Sequence, residues 1–447
     1  MTSVQAGERR RIVVSRFDAR GRGVAVIDGE EVAVPGLFPG DEIEFVREAG
    51  PRGRPTWEPQ ELTKPSPDRI KPDCPFHGPC GGCDWLELSE KGRRKGKQQI
   101  LTSALEDIPG FDTATIAPFA AAREGETIRY MPRVRIHQGR HRASQDAGFL
   151  PAEGHEDETH GGIVPVTSCA LLTKPLGKRL VAARRALGAL PFRVDGLVLA
   201  AANAGPEAVT GHLTLGAGAS PGRVRPELWK LIRGADLAGL SYGRPDKGVE
   251  GVLEDVSVAG LLAHGVEGGP FFTEPGFFSQ GNVFQNKHLV REVVRLSGAA
   301  DGKRIVEGFA GAGNFTIPLA AAGATVEAVE SHPGAVRMAI RNRQRAKCGE
   351  RITLVEGDAM KELGKLAPEP DALVVDPPRT GMPTIAATVA KLKPATIVYV
   401  ACDMESLRRD AQALVKAGYQ IADVAGIDLY PRTHHVEAVI KFVRNDQ

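Results

Sequence analysis

What most limits the fold of this chain is an alternation that begins near residue 271. Five apolar, β-type runs, Ile305-Val306, Thr325–Val329, Ile352–Val355, Ala372–Val375 and Thr396–Val400, are separated by stretches of helical character. Strands joined through helices run parallel, and strands covered on both faces read as unbroken apolar runs. The pattern therefore predicts an α/β domain on a doubly wound parallel sheet. In such sheets ligands bind beyond the carboxyl ends of the strands, so the loops after these runs are where chemistry is expected.

Those loops hold an ordered series. The first run leads into Val306-Glu307-Gly308-Phe309-Ala310-Gly311-Ala312-Gly313-Asn314-Phe315, a glycine-rich turn that lets a nucleoside ligand approach the backbone. Its G-x-G-N form is not the G-x-G-x-x-G of dinucleotide sites. Glu330 ends the second run, where an acid can accept hydrogen bonds from both ribose hydroxyls, and Asp358 follows the third, placed to meet an adenine. Asp376-Pro377-Pro378-Arg379 follows the fourth; its prolines deny the chain a helix start and hold it rigid beside the ligand. After the fifth comes Val400-Ala401-Cys402-Asp403. A buried, inert cysteine is the ordinary outcome elsewhere, but this thiol stands in the ligand crevice.

The rest of the chain divides in two. Residues 11–64 contain short strand-like runs (Ile12–Val14, Gly23–Ile27, Val32–Val34, Asp41–Val46) with turn signals at Asp28-Gly29 and Pro39-Gly40-Asp41. Such a layout predicts an OB-like barrel and resembles the TRAM domain, which implies RNA binding. A proline-rich connector (Lys64–Pro67, Lys71–Asp73) and a helix over Lys91–Leu105 follow, then a strand-rich, glycine-punctuated stretch from about 128 to 270 that includes Val194–Ala201, Gly211–Leu215 and Gly251–Leu262. The expected units are 1–64, 65–270 and 271–447, with the region near 91–125 packing on the last. Net charge is +2, but basic residues cluster. Thr127–Gln145 holds Arg129, Arg133, Arg135, Arg140 and Arg142 without an acid, and His332–Cys348 holds Arg337, Arg341 and Arg345 at helical spacing. Together they are read as phosphate-contacting faces. No run approaches the ~20 apolar residues of a membrane helix, and charges in Met1–Val14 replace the apolar core of a signal peptide. A cytoplasmic protein is expected.

Three of six cysteines fall in Cys74-Pro-Phe-His-Gly-Pro-Cys80-Gly-Gly-Cys83. At that density a metal is expected rather than free thiols. Zinc takes four thiolates, usually from paired knuckles; an iron–sulfur cubane takes one thiolate per iron, often three close and one remote. The spacing and Gly81-Gly82 suit a [4Fe–4S] cluster better, with zinc the alternative. Cys169, Cys348 and Cys402 are candidates for the fourth ligand.

Taken with Phe284-Gln285-Asn286, Tyr399–Asp410 and Asp428-Leu-Tyr-Pro-Arg-Thr-His-His-Val-Glu437, these motifs make the chain resemble the RNA uracil-5-methyltransferase family over nearly its whole length. Within it, the TRAM-bearing, iron–sulfur branch that acts on 23S rRNA is the nearest likeness. The resemblance implies a Rossmann-like methyltransferase domain, an N-terminal TRAM barrel and a β-rich central iron–sulfur domain. It implies S-adenosyl-L-methionine as methyl donor, lined by Gln285, Phe309, Asn314, Glu330, Asp358 and Asp376. It makes Cys169 the fourth cluster ligand, Cys402 the nucleophile and Glu437 the base. RNA is the implied partner, rRNA or alternatively tRNA, for a monomer without an obligate protein partner. Uracil C5 is too poor a nucleophile to take a sulfonium methyl unaided; a thiolate adding at C6 activates it, and a base must then remove the C5 proton. The uridine must also leave its stack to reach the pocket. This chain departs from the family pattern at Glu307-Gly308, where Asp-Leu is usual, at Ala310, commonly Cys, and at Asp403, often Asn. A charge at Asp403 would raise the neighbouring thiol's pKa. That change is the one feature favouring a non-catalytic RNA-binding iron–sulfur relative. A methyltransferase for protein or small molecules would leave the barrel, the Cys402 block and Glu437 without a role.

Overall fold

The computed structural model describes residues 7–445 apart from 51–54, 118, 120, 121, 123, 124, 141–145, 156–160, 202–206, 217, 218, 220, 246, 247, 254–257 and 260–270. The N-terminal unit contains β1 (Arg9–Val13), β2 (Arg16–Phe17), β3 (Gly23–Ile27), β4 (Glu30–Val34), β5 (Glu42–Ala49) and β6 (Pro55–Lys64). These form two three-stranded sheets, β1-β5-β6 and β2-β3-β4, around a core that includes Val14, Ala25, Ile27, Ile43, Phe45 and Trp57. Asp28 and Gly29 turn the β3–β4 hairpin with φ of 52° and 85°, the paired left-handed conformation of a tight hairpin turn. The proline-rich connector is strapped down. The fully buried carboxylate of Asp41 accepts from Ser66 N (2.8 Å), Phe38 N (2.7 Å) and the Arg69 guanidinium (2.8 Å).

Helix α1 (Glu90–Leu105) starts at Ser89, whose Oγ accepts from Gly92 N at 3.0 Å. Gly96 is required on it, because a Cβ there would lie 2.6 Å from the Phe17 ring and 2.8 Å from Trp85. The central unit then contributes β7 (Arg133–Gln138), β8 (Ala147–Gly148), α2 (Lys174–Gly188), β9 (Val194–Ala201), β10 (Val209–Leu215), α3 (Pro221–Ala235), β11 (Gly239–Arg244) and β12 (Gly248–Leu253). Its six-stranded sheet runs β12-β11-β10-β9-β7-β8, with β10 and β11 parallel. Leu176, Leu180, Ala183 and Leu187 of α2, with Leu228, Leu231 and Ile232 of α3, bury against it. The region is thus mixed α/β rather than simply strand-rich: both helices show a 3.6-residue apolar period that the glycine punctuation obscures. Most of the Gly251–Leu262 run lies outside the described residues, as do His141 and Arg142.

Two short strands, β13 (Val258–Ala259) and β14 (Phe272–Thr273), precede the C-terminal domain. That domain comprises α4 (Gln285–Ser297), β15 (Arg304–Gly308), α5 (Thr316–Ala321), β16 (Thr325–Glu330), α6 (Pro333–Arg345), β17 (Ile352–Glu356), α7 (Ala359–Glu362), β18 (Ala372–Val375), α8 (Ile385–Leu392), β19 (Thr396–Ala401), α9 (Met404–Lys416), β20 (Tyr419–Ile427) and β21 (Glu437–Arg444). The sheet order is β17-β16-β15-β18-β19-β21-β20. The five strands expected from the sequence are parallel, and β21 inserts antiparallel between β19 and β20. Alternate residues serve the two faces: Val306, Leu373, Val375, Ile397 and Tyr399 join one core, Ile305, Val374, Val398 and Val400 the other. The first core is completed by Ile100, Leu101 and Leu105 of α1, packed with Leu407, Ala411 and Leu414 of α9. No helix among the described residues is long and apolar enough to cross a membrane.

The basic stretches are less free than their spacing suggests. Arg341 and Arg345 of α6 lie 4.4 and 4.6 Å over the Phe272 ring, a cation–π contact that covers an apolar face. Arg133 donates to the Phe277 carbonyl and is largely buried, whereas Arg135 and Arg140 are exposed.

Candidate functional site

Strand order reverses at β15, which lies between β16 and β18, so the crevice opens over its carboxyl end. There the turn takes left-handed conformations at Phe309 (φ 63°), Gly311 (58°) and Gly313 (98°). For Phe309 this costs on the order of 1–3 kcal/mol. Glu330, at the end of β16, is oriented by two backbone donors, Gly311 N to Oε2 (2.8 Å) and His332 N to Oε1 (2.6 Å). Asn314 exchanges amide hydrogen bonds of 3.0 and 3.1 Å with Asn286, tying the turn to the start of α4. Gln285, fully buried beside it, donates to Glu126 Oε2 at 2.9 Å and leaves its Oε1 without a partner. Asp358 caps α7 through Met360 N (3.0 Å) and is half exposed.

Glu307 is buried beneath this turn, its Oε2 2.6 Å from Thr316 Oγ1 and its Oε1 unpartnered. Burial pushes its pKa up to about 8; Asp376 and Glu330 push the same way and the Thr316 bonds oppose. A glycine turn with open backbone, an oriented carboxylate, and orphaned oxygens on Gln285 and Glu307 fit an adenosyl donor carrying a cationic centre.

The reactive edge is assembled by the antiparallel strand. Because β21 runs against β19, its first residues meet the last of β19: Ala438 pairs with Ala401, and Glu437 with Ile427. Glu437 therefore arrives at the same edge as Cys402 and Asp376, though the sequence separates them widely. Burial pushes the Cys402 thiol up to about 12, with Glu437, Asp376 and Asp403 adding and Arg379 opposing. Burial raises Asp376 to about 7. Burial and Asp376 raise Glu437 well above the usual carboxylate range, again against Arg379. Arg379 opposes the rise of Cys402 and Glu437, Asp376 adds to both, and burial disfavours charge on all three, so they do not all ionise together. Chemically this is a nucleophile with adjacent proton acceptors, provided a proton is first shed.

The loop is braced from behind. Asp410, nearly fully buried, accepts from Met382 N and Tyr399 Oη, both at 2.6 Å. Asp403 caps α9, Oδ1 accepting from Ser406 N at 2.8 Å. Cys402 faces a cavity of about 740 Å³ lined also by Arg20, Arg22, Gly81, His155, Arg379 and His435. All three units of the chain border it. His435 is held neutral, burial first and then His434 and Arg379 lowering its pKa to about 4.

Cys74, Cys80, Cys83 and Cys169 line a second, mainly apolar cavity of about 570 Å³. Burial pushes Cys83 up to about 12; Cys169, Cys80 and Cys74 add to this and Arg432 opposes. Cys348 is elsewhere, buried in the donor-side core with its thiol toward the Ile317 carbonyl. Among the described residues, no three or more His, Cys, Asp or Glu side chains converge as ligands of a single ion do. Four thiols around one cavity fit, by donor type, a group that takes one thiolate per iron.

Sequence reading passed over several residues here. Arg379 and His435 lie inside motifs it had identified but were given no role. Gln280 and Asn282, buried just before α4, went unremarked, and Asn282 Nδ2 donates to the Leu429 carbonyl at 3.0 Å. Lys97 lies within the helix expected over Lys91–Leu105 and has no role in that reading.

Residues 277–417 match the TRM5/TYW2 methyltransferase domain, a span that covers the donor crevice and Cys402 but stops before Glu437. The 23S rRNA (uracil(1939)-C(5))-methyltransferase RlmD of Shewanella baltica is 29% identical over 467 aligned positions, spanning 99% of this chain and 97% of that protein. The RlmD protein of Shewanella woodyi is 27% identical with the same coverage. The tRNA (uracil-54, C5)-methyltransferase of Pyrococcus abyssi, solved with S-adenosyl-L-homocysteine, superposes with a TM-score of 0.66 at 22% identity, covering 97% of this chain and all of that one. The last likeness establishes the shared fold.

Proposed function

We propose that this chain, which belongs to the RNA uracil-C5-methyltransferase family, methylates carbon 5 of a uridine in 23S rRNA from S-adenosylmethionine through a covalent adduct of Cys402. The observation carrying the reading is the meeting of Cys402, Asp376 and Glu437 at one edge, produced by the antiparallel register of β21 against β19. Ribosomal rather than transfer RNA is favoured because the full-length relatives at 27–29% identity are 23S rRNA enzymes, whereas the tRNA enzyme stands at 22%.

The bound donor supplies an electrophilic methyl on a sulfonium. Gln285, Phe309, Asn314, Glu330, Asp358 and Asp376 are the residues that would hold it. Cys402 must lose its proton before it can add to C6, and Arg379 is placed to stabilise that charge. Addition leaves negative charge on the uracil ring and makes C5 nucleophilic. Once C5 has been methylated, its proton passes to the Glu437 carboxylate; the thiolate is then expelled and the C5=C6 bond restored. Each turnover releases one proton, which Glu437 passes to solvent. The N-terminal unit, as a TRAM-like barrel, and Arg20 and Arg22 at the cavity would grip RNA phosphates. A [4Fe–4S] cluster held by Cys74, Cys80, Cys83 and Cys169 would serve the architecture of that wall, since uracil methylation consumes no electrons. The protein would work in the cytoplasm as a monomer.

The test is direct. With radiolabelled donor and an unmodified 23S rRNA fragment, Glu437→Gln should accumulate a methyl-labelled RNA–protein band on a denaturing gel, and Cys402→Ala should give neither band nor product. Normal turnover by Glu437→Gln would place the base elsewhere. Preference for a tRNA transcript would overturn the rRNA assignment.

A further inference from the structure

The connection between β20 and β21, residues 428–436, contains no helix or strand, yet it delivers Glu437. We propose that Lys97, reaching across from α1, is a positioning residue that sets the place of Glu437 by fixing this connection. The inference rests on the proposed role of Glu437 as base. Lys97 has no solvent exposure and is among the largest fully buried side chains. Its ammonium donates to Asp428 Oδ1 at 2.6 Å and to the Tyr430 carbonyl at 2.7 Å, so two of its three donors grip the first and third residues of the connection.

The grip is relayed toward the base. The same Tyr430 carbonyl accepts from Thr433 N and Thr433 Oγ1, both at 3.1 Å, and Thr433 Oγ1 accepts in turn from His435 N at 3.2 Å. A line of hydrogen bonds thus runs from α1 to within two residues of Glu437. The outer side is anchored separately, by Trp85 N to the Arg432 carbonyl (3.1 Å) and Arg432 to Asp73 (2.8 Å). Loss of Lys97 would therefore loosen the inner side without freeing the whole segment.

Packing alone does not call for a lysine. The other buried positions of α1 are Gly92, Gly96, Ile100, Leu101, Ala104 and Leu105, none of them charged, and a buried ammonium is costly unless its bonds are needed. Its two acceptors both belong to the segment that ends on the base. Holding an irregular backbone from one side chain is what such a charge can do and methionine cannot.

The experiment compares the parent, Lys97→Met and the double variant Lys97→Met/Asp428→Asn, which leaves no unpaired buried charge. Each is given radiolabelled donor and the unmodified 23S rRNA fragment, and S-adenosylhomocysteine binding is measured by calorimetry. Both variants should bind S-adenosylhomocysteine as the parent does, release product about 100-fold more slowly, as displacement of a catalytic group by ~1 Å can cause, and accumulate the methyl-labelled adduct. That last signature is specific to a failed base. Turnover at the parental rate overturns the proposal, as does donor binding without adduct, which would place Lys97 at an earlier step. If only the single variant loses donor binding, the double variant decides; if both lose it, Lys97 is structural and the proposal fails. A parent that methylates no RNA overturns the functional reading and this inference with it.

Discussion

Replacing Glu307 by Gln should leave the protein unchanged in acid and make it markedly more stable above neutral pH. Glu307 sits 1% exposed under the donor turn, bonded to Thr316 and otherwise without a partner. Its pKa rises from the ordinary 4.5 to about 8, first through burial and then through Asp376 and Glu330. An acid raised in this way keeps its proton in the native state while the unfolded chain has lost it, so stability is full below the ordinary value and falls as pH climbs through the folded one. Each pH unit in that interval costs about 1.4 kcal/mol, on the order of 4–5 kcal/mol across the whole of it. Gln keeps an acceptor for the Thr316 hydroxyl and cannot ionise. The two proteins should melt together near pH 4.5–5. By pH 8.5 the variant should lead by on the order of 10 °C, given 2–4 °C per kcal/mol for a domain of this size. Melting followed by circular dichroism at four pH values between 5 and 8.5 measures it. Parallel curves for parent and variant would refute the reasoning, since they would mean that Glu307 is ionised in the folded protein.

Three other outcomes follow from the same geometry. At saturating donor, turnover should rise with pH as Cys402 and Glu437 lose their protons, and Asp376→Asn should move that limb to lower pH, since Asp376 raises both; an unshifted profile would separate Asp376 from the pair. Protein purified without oxygen should be brown with about four irons per chain, an iron signal disturbed by Cys83→Ser and Cys169→Ser but not by Cys348→Ser; a colourless protein with one zinc would refute the cluster. Asp403→Asn should retain the cap on α9 and its stability, whereas Asp403→Ala should lose about 1 kcal/mol in a denaturant titration. Because Asp403 pushes Cys402 less than Glu437 or Asp376 does, Asp403→Asn should also alter the rate less than Asp376→Asn, and a larger effect would reverse that order.

The parallel part of the sheet was legible because it is written locally: each of the five runs is mainly apolar, and each is followed by a loop at its carboxyl end, where such sheets bind ligands. The positions of Glu330 and Cys402 at strand ends could be read for the same reason. What brings Glu437 to the edge that holds Cys402 is not local. Glu437 reaches Cys402 only because β21 turns back between β19 and β20, and nothing in the composition of Glu437–Arg444 distinguishes an inserted antiparallel strand from another parallel one at the edge. Before the structure, Glu437 could be placed only through family resemblance. The helix periods of α2 and α3 were present in the sequence but masked by glycines, so the central topology stayed open. Least legible were the charges. Lys97 looks like a surface residue in a list of amino acids, and its burial is set with Asp428, far along the chain, whereas Glu307 is buried under the turn that directly follows it. A buried charge reveals its use only when its partners are known. For Lys97 those partners are two points on the irregular connection that leads into Glu437.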